Sequence, residues 1–325
     1  MTVNAPRPAR PGGGGRAAPN WSLDEFRRTE DSLTYVRAIN PKGFHMIAYH
    51  VWGKPDDVRP LFCVHGLTRH GGDFDPLARA LAGRRKIVCP DLVGRGASDW
   101  LPDPDDYHVP QYNCDLTAVL AAAGCSEVDW IGTSLGGLCG IVMAGLPNSP
   151  IRRLVINDVA PEVPMPALRR VAGYLAGPIR LADYAATEAH LREIYAGFGP
   201  MTDDDWRHMA HTSVYREDDG SYAPHFDPGI GENFRQYWLL VRFNFWTYWK
   251  RIKCPILILR GTNSDFLTPE LLARMVAEQP GASVIEFDGV GHTPTLNTAA
   301  QIDPILSWLD ATEEEPGRER QDNGS

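Results

Sequence analysis

The chain has 325 residues, with 32 basic against 41 acidic side chains and a formal charge of −9. That is long enough to bury a core without disulfides or metal, as one large domain or two smaller ones. Its 43% hydrophobic and 22% charged residues exclude a collagen, a coiled coil or a wholly disordered chain, and the acidic balance argues against nucleic acid as the partner, since phosphate binding needs a basic face.

Met1 to Pro19 is rich in Pro, Gly, Ala and Arg and lacks the apolar stretch of a signal peptide, so residues 1–20 read as a flexible tail. Leu33–Ile39 and Phe44–Trp52 read as antiparallel strands around an Asn40-Pro41-Lys42-Gly43 turn. Leu61–His65 is a short apolar run. Asp73–Ala82 carries apolar residues at helical spacing. Lys86–Pro90, Val128–Ile131 and Ile151–Asn157 read as strands, and Tyr107–Ala123 and Leu135–Ala144 as helices. Short apolar strands alternating with helices predict an α/β protein, a mostly parallel sheet with helices on both faces. From Pro161 to about Lys250 no such strand appears. Helices are expected near Pro166–Ala176, Ala182–Ala196, Asp203–His211 and Asn233–Trp249. The pattern resumes with a strand at Pro255–Leu259, a helix at Pro269–Gln279, a strand at Ser283–Phe287 and a helix at Thr298–Leu309. The organisation expected is a core of residues 21–160 and 250–311, a helical insertion of residues 161–249, and a polar tail of residues 312–325.

The six cysteines, Cys63, Cys89, Cys114, Cys125, Cys139 and Cys254, form no C-x-x-C pair. They read as reduced core thiols, which favours the cytoplasm. The longest uncharged stretch, Ile131 to Ile151, is broken by glycines and prolines and is a poor membrane span. No metal or organic cofactor is expected.

The strongest chemical signal is Gly132-Thr133-Ser134-Leu135-Gly136, a G-x-S-x-G between a strand and a helix. There the serine is raised on a tight turn beside a helix N-terminus. A serine hydroxyl needs a base held by a third group, and the chain order at such a turn is Ser, acid, His. His292, in Gly291-His292-Thr293, and Asp265, in Gly261-Thr262-Asn263-Ser264-Asp265, both follow strands, where open α/β sheets build their sites. Asp158, directly after the Ile151–Asn157 strand, is a rival for the acid. Backbone N–H groups of Leu67, in His65-Gly66-Leu67, and of Leu135 would form an oxyanion hole, with His65 holding its loop. Arg69 and His70 read as a solvated loop, and His208 and His211 as surface residues of the insertion. Eight aromatics, Phe234, Tyr237, Trp238, Phe243, Phe245, Trp246, Tyr248 and Trp249, form either a packed core or a pocket. Trp246 and Tyr248 are the expected pocket walls.

With the Asp91-to-Asp99 loop, these motifs make the chain resemble the α/β-hydrolase superfamily from about Trp21 to Leu309, and a capped, esterase-like bacterial branch within it. The resemblance implies an eight-stranded sheet, with the insertion as a cap. It implies a serine hydrolase of small ester-like molecules acting through Ser134, Asp265 and His292, without nucleic acid or membrane. Lactone hydrolysis, carbon–carbon bond hydrolysis, iminopeptidase and perhydrolase activity use the same triad. A small-ligand-binding module of the same fold is the non-enzymatic alternative.

Overall fold

The computed structural model describes residues 32–53, 59–81, 83–175, 177, 179–235 and 244–312. Two antiparallel strands, β1 (Ser32–Asn40) and β2 (Gly43–Trp52), lead into β3 (Leu61–Val64), a 3-10 turn, helix α1 (Asp75–Leu81), β4 (Ile87–Pro90), α2 (Val109–Ala122), β5 (Val128–Thr133), α3 (Leu135–Ala144) and β6 (Ile151–Asn157). An inserted segment then carries α4 (Met165–Tyr174), α5 (Tyr184–Ile194), α6 (Asp203–Ser213), β7 (Val214–Arg216), β8 (Tyr222–Pro224), α7 (Gly229–Asn233) and α8 (Trp246–Trp249). The chain ends with β9 (Ile256–Gly261), α9 (Pro269–Glu278), β10 (Ser283–Phe287) and α10 (Ala299–Ala311). The main sheet has the order β1-β2-β4-β3-β5-β6-β9-β10. Only β2 runs antiparallel to its neighbours β1 and β4; the other pairs are parallel. The eight-stranded, mostly parallel α/β sheet expected from the sequence is therefore present.

The central strands read as continuous apolar runs because both faces are covered. Alternate residues go opposite ways. Phe62, Val64, Val88, Trp130, Leu154, Ile156 and Ile258 join one core with α2, α3 and α9. Leu61, Cys63, Ile87, Cys89, Ile131, Val155 and Leu257 join the other with α1 and α10. At the N-terminal end of the strands, buried Asp129 accepts from Arg153 Nε at 2.7 Å and pairs with Arg85. Arg153 also reaches the Leu309 carbonyl of α10.

The inserted stretch adds no strand to the main sheet among the described residues; it holds the separate antiparallel β7–β8 ribbon, whose three-residue strands are too short to leave an alternating pattern. Of the helix expected over Asn233–Trp249, the described residues show α7 ending at Asn233 and α8 beginning at Trp246; residues 236–243 lie outside them. Tyr237, Trp238 and Phe243 lie outside the described residues, as does nearly all of both tails. Helix α6 begins as its sequence predicts: Thr202 and Asp205 form a capping box, and three aspartates fill the first turn. All six cysteines are free, but Cys114 is exposed rather than packed. No helix among the described residues is long and apolar enough to cross a membrane.

Candidate active site

Ser134 sits between β5 and α3 at φ 50°, ψ −110°, a left-handed region costly for a non-glycine residue, on the order of 1–3 kcal/mol. The turn closes only because its neighbours are glycines. A Cβ on Gly132 would strike the Gly136 carbonyl, and one on Gly136 would strike the Val64 carbonyl. The serine is thereby held clear of both strand and helix. Its hydroxyl lies 2.9 Å from His292 Nε2.

The partner of His292 is not Asp265. Asp158 Oδ2 accepts from His292 Nδ1 at 2.8 Å. Asp158 follows β6, the strand beside β5, at φ 60°. It is fully buried and also accepts from the Gly261 N–H (3.0 Å) and the Ser264 hydroxyl (2.6 Å). The loop after β9 turns so that Ser264 faces inward, while Asp265, one residue on, takes Arg170 of α4 side-on at 2.8 and 2.9 Å. Burial pushes the Asp265 carboxyl up, but the Arg170 hydrogen bond and charge outweigh it, and it stays below the usual range. Residue order along the chain admits both Asp158 and Asp265, and the sequence reading takes Asp265. The path of the loop reverses that choice, because it sets which side each carboxylate occupies, and spacing does not encode this.

Phe266 stacks flat on the His292 imidazole, centroids 3.7 Å apart and planes 7° apart. The Arg170 guanidinium lies 5.7 Å from the Phe266 centroid. No motif marks Phe266; it is visible only once the loop is folded.

His65 is fully buried. Its Nδ1 donates to the Gly66 carbonyl at 2.7 Å, and its Nε2 accepts from the Leu92 N–H at 2.9 Å. A trans peptide points its N–H opposite to its carbonyl, so holding Gly66 O also fixes the direction of the Leu67 N–H. Burial pushes the His65 imidazole down to about 3, so the neutral tautomer is locked. Arg95, also fully buried, donates from Nε to the Leu67 carbonyl at 2.8 Å and lies over the rings of Tyr107 and Tyr112. The Leu135 N–H lies in the first turn of α3, where helical donors lack intrahelical partners. Leu67 and Leu135 both line the cavity that contains Ser134 and His292.

That cavity has a volume of about 140 Å³. Its apolar walls include Leu168, Val171, Tyr174, Tyr195, Phe198 and Phe234. Trp246 and Tyr248 do not line it. Trp246 is buried, donates to Glu162 at 2.7 Å and is covered by Arg274; Tyr248 packs on the core beside α3. Among the described residues of the aromatic run, Phe245, Trp246, Tyr248 and Trp249 pack with the core, as aromatics usually do, and Phe234 reaches the cavity. The walls come instead from α4, whose residues Leu168, Val171 and Tyr174 share a face. Arg69 is not solvated: it is buried on the cavity lining, clamped by Asp73 (2.9 Å) and the Ser213 hydroxyl (2.6 Å). His70 is buried too, and His208 reaches the cavity lining. Among the described residues, no group of three or more His, Cys, Asp or Glu side chains could hold a metal ion.

Residues 61–303 match the model of the alpha/beta hydrolase family. The chain belongs to that family. It is 41% identical to a 3-hydroxybutyrate-oligomer hydrolase of Cupriavidus necator over 278 residues, covering 83% of this chain and 94% of that protein. Among solved structures, a putative hydrolase from Rickettsia typhi superposes with a TM-score of 0.81 at 27% identity, covering 87% of this chain and 99% of that one. An alpha/beta hydrolase from Novosphingobium aromaticivorans gives 0.75 at 31% identity, covering 86% and 98%. This alpha/beta hydrolase therefore carries its family's fold over nearly all of its described length.

Proposed function

We propose that this chain is a serine hydrolase that cleaves carboxylic esters through an acyl-enzyme on Ser134, with short hydroxyalkanoate oligoesters as substrates. The observation that carries the reading is the continuous hydrogen-bonded line Ser134–His292–Asp158 at 2.9 and 2.8 Å, facing a largely apolar cavity. His292 Nε2 takes the Ser134 proton as Oγ attacks the ester carbonyl. Asp158 keeps Nδ1 protonated and stabilises the imidazolium; its two further donors, Gly261 and Ser264, hold it in place. The Leu67 and Leu135 N–H groups receive the oxyanion. His292 then protonates the departing alcohol, and water activated by the same imidazole releases the acid. Phe266 fixes the imidazole plane by stacking. The 161–249 segment acts as a cap, and α4 supplies much of the pocket. The substrate class is supported by the 3-hydroxybutyrate-oligomer hydrolase of Cupriavidus necator and by the small cavity.

The test is hydrolysis of p-nitrophenyl butyrate and of linear 3-hydroxybutyrate dimer and trimer by wild type and Ser134→Ala, with fluorophosphonate labelling. Activity on all three that is lost in the variant by about 10⁴-fold or more, with label on Ser134, is the expected result. Activity confined to a lactone or a diketone would move the enzyme to those chemistries. No turnover and no label would favour a ligand-binding module.

A further inference from the structure

On the acyl-transfer reading just given, His292 must protonate the leaving alcohol, so the alcohol half of the substrate lies on the His292 side of the cavity. Beyond the imidazole on that side stand Phe266 and then Arg170. Arg170 and Tyr174 are four residues apart on α4 and share one helical face; both line the cavity. Arg170 commits Nε and Nη2 to Asp265. Its Nη1, with two N–H groups, has no partner among the described residues, and neither does the Tyr174 hydroxyl. Burial, with Tyr195 alongside, pushes the Tyr174 phenol well up, so it remains an O–H donor. The side-on ion pair with Asp265 holds the guanidinium in one orientation without using its Nη1 edge. Asp73 and Asp205, the carboxylates on the lining among the described residues, are engaged elsewhere, Asp73 by Arg69 and Asp205 by the start of α6.

Two donors one helical turn apart on the cavity lining, one of them a partly exposed cation, match a carboxylate. We infer that Arg170 Nη1 and Tyr174 Oη form a subsite for a carboxylate carried by the leaving group. The preferred substrate is then an ester of a hydroxy acid whose own carboxyl is free. In an oligoester, this directs cleavage to the ester nearest the free carboxyl end and releases one hydroxy acid at a time.

The test compares 3-(butyryloxy)butyrate with its methyl ester, which keeps the skeleton and scissile bond but removes the charge. Release of butyrate would be followed for wild type, Tyr174→Phe, Arg170→Gln and Ser134→Ala. Wild type should favour the free carboxylate by about tenfold or more in kcat/KM, the scale of a hydrogen bond to a charged group. Tyr174→Phe should reduce that preference by about tenfold, chiefly through KM, and Arg170→Gln by more. Equal wild-type rates on the two esters, or variants that lower both alike, would overturn the subsite while leaving the hydrolase reading intact. Undiminished turnover by Ser134→Ala would instead overturn the reading beneath it.

Discussion

Asp158 and Asp265 are both aspartates on loops at the C-terminal end of neighbouring strands, yet their surroundings give them different work. Asp158 is fully buried and spends its oxygens on His292, Ser264 and Gly261. Asp265 is half-buried and tied to Arg170 on α4. Removing the Asp158 charge leaves the imidazole without the acceptor that sets its tautomer. Asp158→Asn should therefore lower kcat on p-nitrophenyl butyrate by about 10⁴-fold. Asp265→Asn loosens a bidentate pair across partly exposed groups and should cost about tenfold or less, with KM moving more than kcat. Steady-state kinetics on the two purified variants decide the assignment: a greater loss in Asp265→Asn would reverse it.

At the scale of elements, the site is held by loops that bind one another. The loop after β3 and the loop after β4 meet through His65, whose ring joins Gly66 O to Leu92 N–H, and through Arg95, which reaches the Leu67 carbonyl. Asp91 adds two bonds, accepting from the Gly71 and Ala97 N–H groups at 2.7 and 2.9 Å. The His65 clamp carries a pH signature. Burial lowers its folded-state pKa to about 3, against about 6.5 in the unfolded chain. Below pH 6.5 the unfolded chain takes up a proton that the folded one refuses. The stability present above that pH is thus lost as the pH falls toward 3, at about 1.4 kcal/mol per unit from this group. Urea unfolding at pH 7, 5 and 4 should show a shallower acid loss in His65→Gln than in wild type, although the variant starts less stable at pH 7. Equal slopes would mean that the ring is not the acid-sensitive group.

At the scale of the whole molecule, a two-layered core supports a reaction at one end only. The N-terminal ends of the strands are closed by a structural ion cluster of Asp129, Arg153 and Arg85. The C-terminal ends carry Ser134, Asp158 and His292 beneath the segment between β6 and β9. That segment sets the size of the cavity. About 140 Å³ is the volume of a space that holds a benzene-sized group, and the acyl and alcohol halves of a substrate share it, so only a short acyl chain fits. Activity should fall from p-nitrophenyl butyrate to octanoate to palmitate, with kcat/KM lower by about tenfold or more at octanoate. A preference for long chains would show that α4 to α6 move aside during turnover, as lids do.

Much of this protein is legible in its sequence because it depends on local rules. Buried parallel strands need short continuous apolar runs, so β3, β4, β5, β6 and β9 can be placed from composition. The serine turn needs glycines at positions 132 and 136, so Ser134 stands out in the linear chain. His292 is legible as a Gly-His pair after the last strand. What depends on how distant segments meet is not legible. Which aspartate reaches His292 depends on the inward turn of Ser264 and the outward turn of Asp265, a matter of loop path between two equally eligible carboxylates. Which aromatics face the cavity depends on how the inserted helices seat on the sheet. Trp246 and Tyr248 satisfy the same hydrophobic demand in the core that Tyr174, Tyr195 and Phe198 satisfy around the cavity, and residue type is the same in both places. Packing partners decide between them, and these are a property of the folded chain.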